Sequence, residues 1–123
     1  MCPFCSPADR RVWLENEQAV AFADAFPVTD GHTLVVPRPH VSSIYELSAA
    51  QQSALWDLVA AVRERLLLGL KPDGFTIGVN DGLAAGQTVD HAHIHVIPRR
   101  TGDVPDPRGG IRWIVANHAR YWE

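Results

Sequence analysis

Residues 91–97 read His-Ala-His-Ile-His-Val-Ile, so three of the six histidines occupy every second place over five positions. On a helix this spacing shares no face. On a strand, where successive side chains alternate, His91, His93 and His95 line one side while Ala92, Ile94 and Val96 line the other. Neighbouring imidazoles then stand roughly 6.5–7 Å apart on one backbone. A core is better filled by Val or Ile, and each buried ring needs its own polar partner. The row therefore points to chemistry of one of two kinds. Neutral imidazole is a nucleophile or proton carrier, and it is also a metal ligand. His-x-His on a strand is one way zinc is held. These five residues leave both readings open. Pro98 is expected to end the ladder by removing a donor.

Two further groups bear on that choice. Gly86-Gln87-Thr88-Val89-Asp90 precedes the histidines. Gly86 permits close approach of backbone to a ligand, and the Gln87 and Thr88 side chains are neutral donors suited to phosphate oxygens. Such donors beside imidazoles favour phosphoryl chemistry over a bare metal site. Cys2 and Cys5 have the C-x-x-C spacing that suits tetrahedral zinc. A redox pair normally opens a helix after a strand, and no strand precedes this one. A disulfide is disfavoured in the cytosol.

These groups must be carried by a small scaffold. The chain has 123 residues, 46% hydrophobic and 20% charged, with a formal net charge of −3. This fits one compact domain over residues 1–123 and gives no electrostatic case for nucleic-acid binding. No apolar run has the length of a membrane span. The opening residues lack the charged and apolar regions of a signal peptide, and a cytoplasmic protein is expected.

Val12–Leu14 and Ala19–Ala25 suggest a short hairpin, and Asp30-Gly31 a turn. Thr33–Val36 is a β-branched run stopping at Pro37. A helix is expected from about Ser48 to Leu68. Ser48 and Gln51 form its capping box, Leu55, Leu58, Val59, Val62 and Leu66 its apolar stripe, and Gly69 with Lys71-Pro72 its stop. Phe75–Val79 reads as a strand ending at the turn Asn80-Asp81-Gly82, and Ile111–Val115 as the last strand. The sum is an α+β fold of about five antiparallel strands with one long helix packed on them.

Gly86 through Arg99 resembles the signature of the histidine triad (HIT) superfamily of nucleotide hydrolases and transferases: three histidines alternating with apolar residues after Gly-Gln-Thr. Gly31-His32-Thr33-Leu34-Val35-Val36-Pro37 resembles the upstream Gly-His segment of that family. Asp24 stands where the family keeps an acidic residue or Asn, and Asn80 fits its Asn/Gln position. The resemblance covers nearly the whole chain.

The resemblance implies that His93 attacks an α-phosphorus and forms a nucleotidyl-imidazole, which water then cleaves. A backbone carbonyl near His91 would hold the other ring nitrogen of His93. His95 would contact phosphate and leaving group, and Gln87 and Thr88 would steady phosphate oxygens. Asp24 would accept ribose hydroxyls, with His32, Asn80 and Gly86 near the substrate and Phe22 and Ile44 walling the base pocket. Some microbial members of the family bind zinc through an N-terminal Cys-x-x-Cys. The matching ligands here are Cys2, Cys5, His40 and His91, a closed structural site that would orient His93 from behind. No organic cofactor is implied, and a homodimer is expected.

Asp106 through Trp113 resembles the C-terminal segment of diadenosine-polyphosphate-hydrolase-like members. Arg108 and Arg112 there read either as phosphate contacts or as a solvated basic loop. Trp113, Tyr121 and Trp122 are candidate interface anchors. His118 has no matching role and reads as a surface residue. Dinucleoside polyphosphates and nucleoside phosphoramidates are the two candidate substrates. A non-catalytic nucleotide-binding module is the alternative, and a hydrolase using all three triad histidines on zinc is a third reading.

Overall fold

The structure, a computed structural model, describes residues 2–6 and 11–122. Five strands form one antiparallel sheet: β1 (Val12–Glu15), β2 (Ala19–Ala23), β3 (Thr33–Pro37), β4 (Gly74–Gly78) and β5 (Ile94–Arg99), in the order β1-β2-β3-β5-β4. The helix α1 (Ala49–Leu70) packs on one face. This is the expected α+β architecture.

Alternation along the strands explains why one face takes the helix. Ala19 and Ala21 of β2, Val35 of β3, and Ile94 and Val96 of β5 share a core with Leu55, Leu58, Val59, Val62 and Leu66 of α1. The two alanines have no bulk, so the helix lies close to the sheet centre. Val20, Phe22, Leu34 and Val36 point the other way and form a second cluster with Phe4 and Val12. Helix α1 begins at the Ser48–Gln51 capping box: Gln51 N–H donates to Ser48 Oγ at 3.1 Å, and Ser48 N–H donates to Gln51 Oε1 at 2.9 Å. It runs to Leu70, past the expected end, and closes on Lys71 in the left-handed conformation at φ 51°. Gly69 lies inside it; Pro72 is the effective barrier to continuation.

Three expectations are corrected. Ile111–Val115 is not a strand. It belongs to a 3₁₀ segment, Gly110–His118, kinked at Val115. Gly109 and Gly110 have positive φ (91° and 46°), which turns the chain out of an extended path, and Ile111 packs over Gly78 of β4 from above. Ile111 therefore lies on the sheet instead of pairing with it, while Ile114 and Val115 stay exposed. Pro98 does not end the ladder, because it pairs opposite Phe75 and β5 continues to Arg99. The β3 side of β5 has already finished pairing at Val96, so the missing N–H falls where no partner strand needs it. Finally, of the three histidines only His95 lies within a strand; His91 and His93 belong to the loop that leads into β5.

Candidate active site

The sheet face opposite α1 carries the chemistry. His95 pairs with Leu34 across β3–β5, which aims its ring away from the helix. Asp24 follows β2 and His32 precedes β3, and Asp24 N–H donates to the His32 carbonyl at 3.0 Å where the two strand ends meet. A cavity of about 470 Å³ opens there, bordered by Phe4, Asp24, His32, Thr88, His93 and His95 among others.

Hydrogen bonds fix the proton on each ring. His93 Nδ1 is 2.9 Å from the His91 carbonyl. A carbonyl only accepts, so Nδ1 carries the hydrogen and Nε2 keeps a free lone pair. This is the carbonyl brace expected for the nucleophile. The Val28 amide donates to His32 Nδ1 at 3.1 Å, which places the His32 hydrogen on Nε2. That nitrogen is 2.9 Å from His95 Nδ1 and 3.4 Å from Asp24 Oδ2. His95 Nδ1 is therefore the acceptor, and neutral His95 bears its hydrogen on Nε2 as a donor. Burial, followed by the neighbouring His93 and His32, pushes the His95 pKa down from 6.5 to about 4, against the opposing pull of Asp24. Burial likewise lowers His32, again opposed by Asp24. Both rings are neutral near pH 7, as the chain of donors and acceptors requires.

His91 faces elsewhere. Its ring is fully buried, and Nε2–H donates to the Pro37 carbonyl at 2.8 Å. Nδ1 is left bare, 3.4 Å from Cys2 Sγ and 3.6 Å from Cys5 Sγ, and Cys5 Sγ is 3.1 Å from His40 Nδ1. The four ligating atoms lie within 4.8 Å of one another. Tetrahedral zinc, with bonds of about 2.3 Å to sulfur and 2.0 Å to nitrogen, separates a sulfur from a nitrogen by about 3.5 Å. Donor types, spacing and the His91 tautomer fit such an ion.

The three triad rings thus address three different partners: the cysteines, a carbonyl and His32. They do not converge on one metal, which counts against the reading that all three ligate zinc. Asp24, His32 and His95 also cluster tightly. However, the hydrogen on His32 Nε2 occupies the position a metal would need.

Several expected site residues sit differently. Gln87 is buried, its Oε1 accepting from Gly82 N–H at 2.8 Å and its Nε2 donating to the carbonyls of Ser42 (2.8 Å) and Val89 (3.1 Å). Both amide hydrogens are spent, so Gln87 braces the loop and has no donor left for phosphate. Phe22 and Ile44 line neither the cavity nor its rim; Phe22 fills the second cluster and Ile44 the main core. Phe22 shares the sheet face of His95 but is covered by Phe4, and Ile44 starts a short 3₁₀ turn that precedes α1. Thr88 borders the cavity as expected. Gly86 takes φ 93°, where a side chain would be strained. Asn80 lies on the far side of His95, in an apolar cleft shared with Ile97, Ile111 and Trp113.

Arg108 pairs with Asp106 and stacks on Trp122, while Arg112 donates to the carbonyls of His118 and Ala119. Both tie the C-terminal segment to itself, which favours the structural reading. Exposed His118 contributes only that carbonyl. Trp113 and Tyr121 are exposed.

The sequence reading missed Phe4. Its ring stands edge-on to His93 at 5.0 Å between centroids, touches Phe22 at 5.5 Å and borders the cavity. The Cys-x-x-Cys spacing directed attention to the thiols and away from the residue they enclose.

An antiparallel sheet backed by one helix, with a carbonyl-braced histidine at the mouth of a cavity, defines an α+β class of protein that offers a neutral imidazole nitrogen to whatever the cavity holds. The HIT domain family matches residues 6–102, and the chain belongs to that family. An uncharacterized HIT-like protein of Mycoplasma genitalium is 42% identical over 85 residues, covering 69% of this chain and 60% of that protein. The asymmetrical bis(5′-nucleosyl)-tetraphosphatase of Schizosaccharomyces pombe is 32% identical over 97 residues, 79% of this chain and 53% of that protein. The crystal structure of a HIT family protein from Bacillus anthracis superposes with a TM-score of 0.76 at 36% identity, covering 83% of this chain and 75% of that one. The chain therefore spans a little over half the length of some relatives. Among the described residues, no helix is long and apolar enough to cross a membrane.

Proposed function

We propose that this protein is a nucleotidyl hydrolase or transferase that cleaves the α-phosphate of nucleoside 5′-phosphate conjugates through a covalent intermediate on His93. The observation that carries the reading is the bond from His93 Nδ1–H to the His91 carbonyl, which leaves Nε2 as the nucleophilic lone pair on a ring bordering the cavity. Nε2 attacks the α-phosphorus, and a P–N bond forms as the bond to the leaving group breaks. His95 Nε2–H donates a hydrogen bond to the departing atom, which leaves with its bonding pair and takes a proton from solvent. Water then attacks the phosphorus, loses a proton to solvent, and displaces His93 Nε2 as the P–N bond breaks, releasing the nucleoside monophosphate. Asp24 is placed to receive ribose hydroxyls and Thr88 to meet phosphate oxygens. The kinship with the fission-yeast tetraphosphatase supports nucleotide phosphoanhydrides as one substrate class, with nucleoside phosphoramidates as the other.

Cys2, Cys5, His40 and His91 would hold zinc in a closed structural site, where the ion adds rigidity and no reactive position. A homodimer is part of the proposal. Strand β4 is an edge of the sheet and is only half buried, a surface that a second copy could extend.

The test is to incubate the protein with diadenosine tetraphosphate, diadenosine triphosphate and adenosine phosphoramidate, each ³²P-labelled at the α-phosphate, and to quench in base. Label should stay on the wild type, vanish in His93→Ala, and kcat/KM should rank the substrates. Equal labelling of both proteins would remove His93 as nucleophile. Nucleotide binding with no turnover of any conjugate would leave the non-catalytic binding module as the reading.

A further inference from the structure

Phe4 sits between the two cysteines of the metal-type cluster and reaches over the nucleotide-type cavity. Its neighbours Cys2 and Cys5 point their sulfurs at His91 and His40, while Pro3 and Phe4 themselves form part of the cavity wall. The ring meets His93 edge-on at 5.0 Å, His91 at 6.2 Å and Phe22 at 5.5 Å. Segment 2–6 belongs to no strand or helix of the fold. Such a segment near a chain end is ordered only as far as side chains tie it down. The ties here are the sulfur contacts on one side and the Phe4 ring on the other. Four ligand bonds would hold the segment far more firmly than weak thiol hydrogen bonds.

We infer that metal binding at Cys2, Cys5, His40 and His91 and nucleotide binding at the Asp24–His93 cavity are positively coupled, with Phe4 as the positioning residue that carries the coupling. This rests on the reading of the cavity as a nucleotide site. The ion fixes the backbone on both sides of Phe4, which sets the ring as a wall of the cavity. A nucleotide that packs against the same ring prepays the ordering of the clip. Linkage makes the effect reciprocal: each ligand must tighten the other by the same factor, on the order of tenfold.

Zn²⁺ and AMP are the probes. AMP affinity is measured by calorimetry on zinc-loaded and chelator-stripped protein, and Zn²⁺ affinity by competition with a chelating dye, with and without AMP. The expectation is an equal gain, on the order of tenfold, in both measurements for the wild type. In Phe4→Ala, one zinc should still bind per chain and the gain should fall to near unity. Phe4→Tyr, which keeps the ring, should restore it. Equal AMP affinity in loaded and stripped wild type would overturn the inference, as would an undiminished gain in Phe4→Ala or a failure to bind zinc at all. If the stripped protein unfolds, the loaded proteins decide: AMP binding weakened in Phe4→Ala and recovered in Phe4→Tyr supports the coupling, and equal affinities refute it. Failure of AMP to bind the loaded wild type would bring down the nucleotide reading itself, and the coupling with it.

Discussion

His32 Nε2 lies 2.9 Å from His95 Nδ1, and that contact decides which nitrogen of His95 holds a proton. The Val28 amide bonded to His32 Nδ1 settles the direction of donation. In the proposed reaction His32 is thus a positioning residue, acting through His95. His32→Leu removes the donor and frees His95 to adopt the other tautomer. Loss of a correctly placed hydrogen-bond donor is expected to cost roughly 10²-fold in kcat for conjugates with a poor leaving group. Conjugates of nitrophenol, which departs without protonation, should lose far less. His32→Asn, which keeps an N–H donor, should recover part of the loss. Equal losses for both leaving groups would assign His32 to packing alone.

The neutral rings make stability depend on pH. Folded His95 titrates at about 4 against 6.5 for an ordinary histidine, and His32 is lowered in the same direction. The unfolded chain therefore binds protons below pH 6.5 that the folded protein refuses. The stabilisation is complete above pH 6.5 and is lost as the pH falls toward 4. For His95, which faces His93, His32 and Asp24, the contribution is at most about 3 kcal/mol, less whatever solvent screens. Urea midpoints at pH 7, 6 and 5 measure it. His95→Gln should flatten the curve between pH 6.5 and 5, and a parallel decline in both proteins would place the origin elsewhere.

Gln87 secures the glycine loop through three hydrogen bonds spanning Gly82, Ser42 and Val89. Gln87→Ala leaves those backbone groups short of partners and should cost about 2–3 kcal/mol. Because the side chain has no donor to spare, KM is expected to rise with the displaced loop while the labelling of His93 persists. Denaturant unfolding and steady-state kinetics on the same variant separate the two effects. A collapse in kcat at unchanged stability would instead give Gln87 a direct role on phosphate.

Gly31 has φ 90°, and a Cβ there would fall 2.5 Å from Leu70 Cδ1 and 3.1 Å from Pro98 Cγ. Gly31→Ala combines left-handed strain with a clash between the turn and the end of α1. A loss of about 1–3 kcal/mol is expected. The neighbouring His32 makes labelling of His93 a useful second readout. An unchanged Tm would show that Leu70 moves aside without cost.

The strands and the helix were legible in the sequence because their signals are local. Ala19-Val20-Ala21-Phe22 shows its two faces directly, and the Ser48–Gln51 box announces the helix start. The ordered motifs also identified the family and brought His93, His95, His32 and Asp24 to one cavity. The misreadings share a cause: the same residue types serve in different tertiary settings. Ile111–Val115 has strand composition but lies over β4, since the glycines before it turn the chain. Gln87 has donors suited to phosphate, and three backbone groups claimed its amide. Only the tertiary structure could decide the proton positions, which depend on a carbonyl, an amide and a second imidazole 2 to 63 residues away. Spacing can place imidazoles near one another, but their tautomers are set by partners that folding alone supplies.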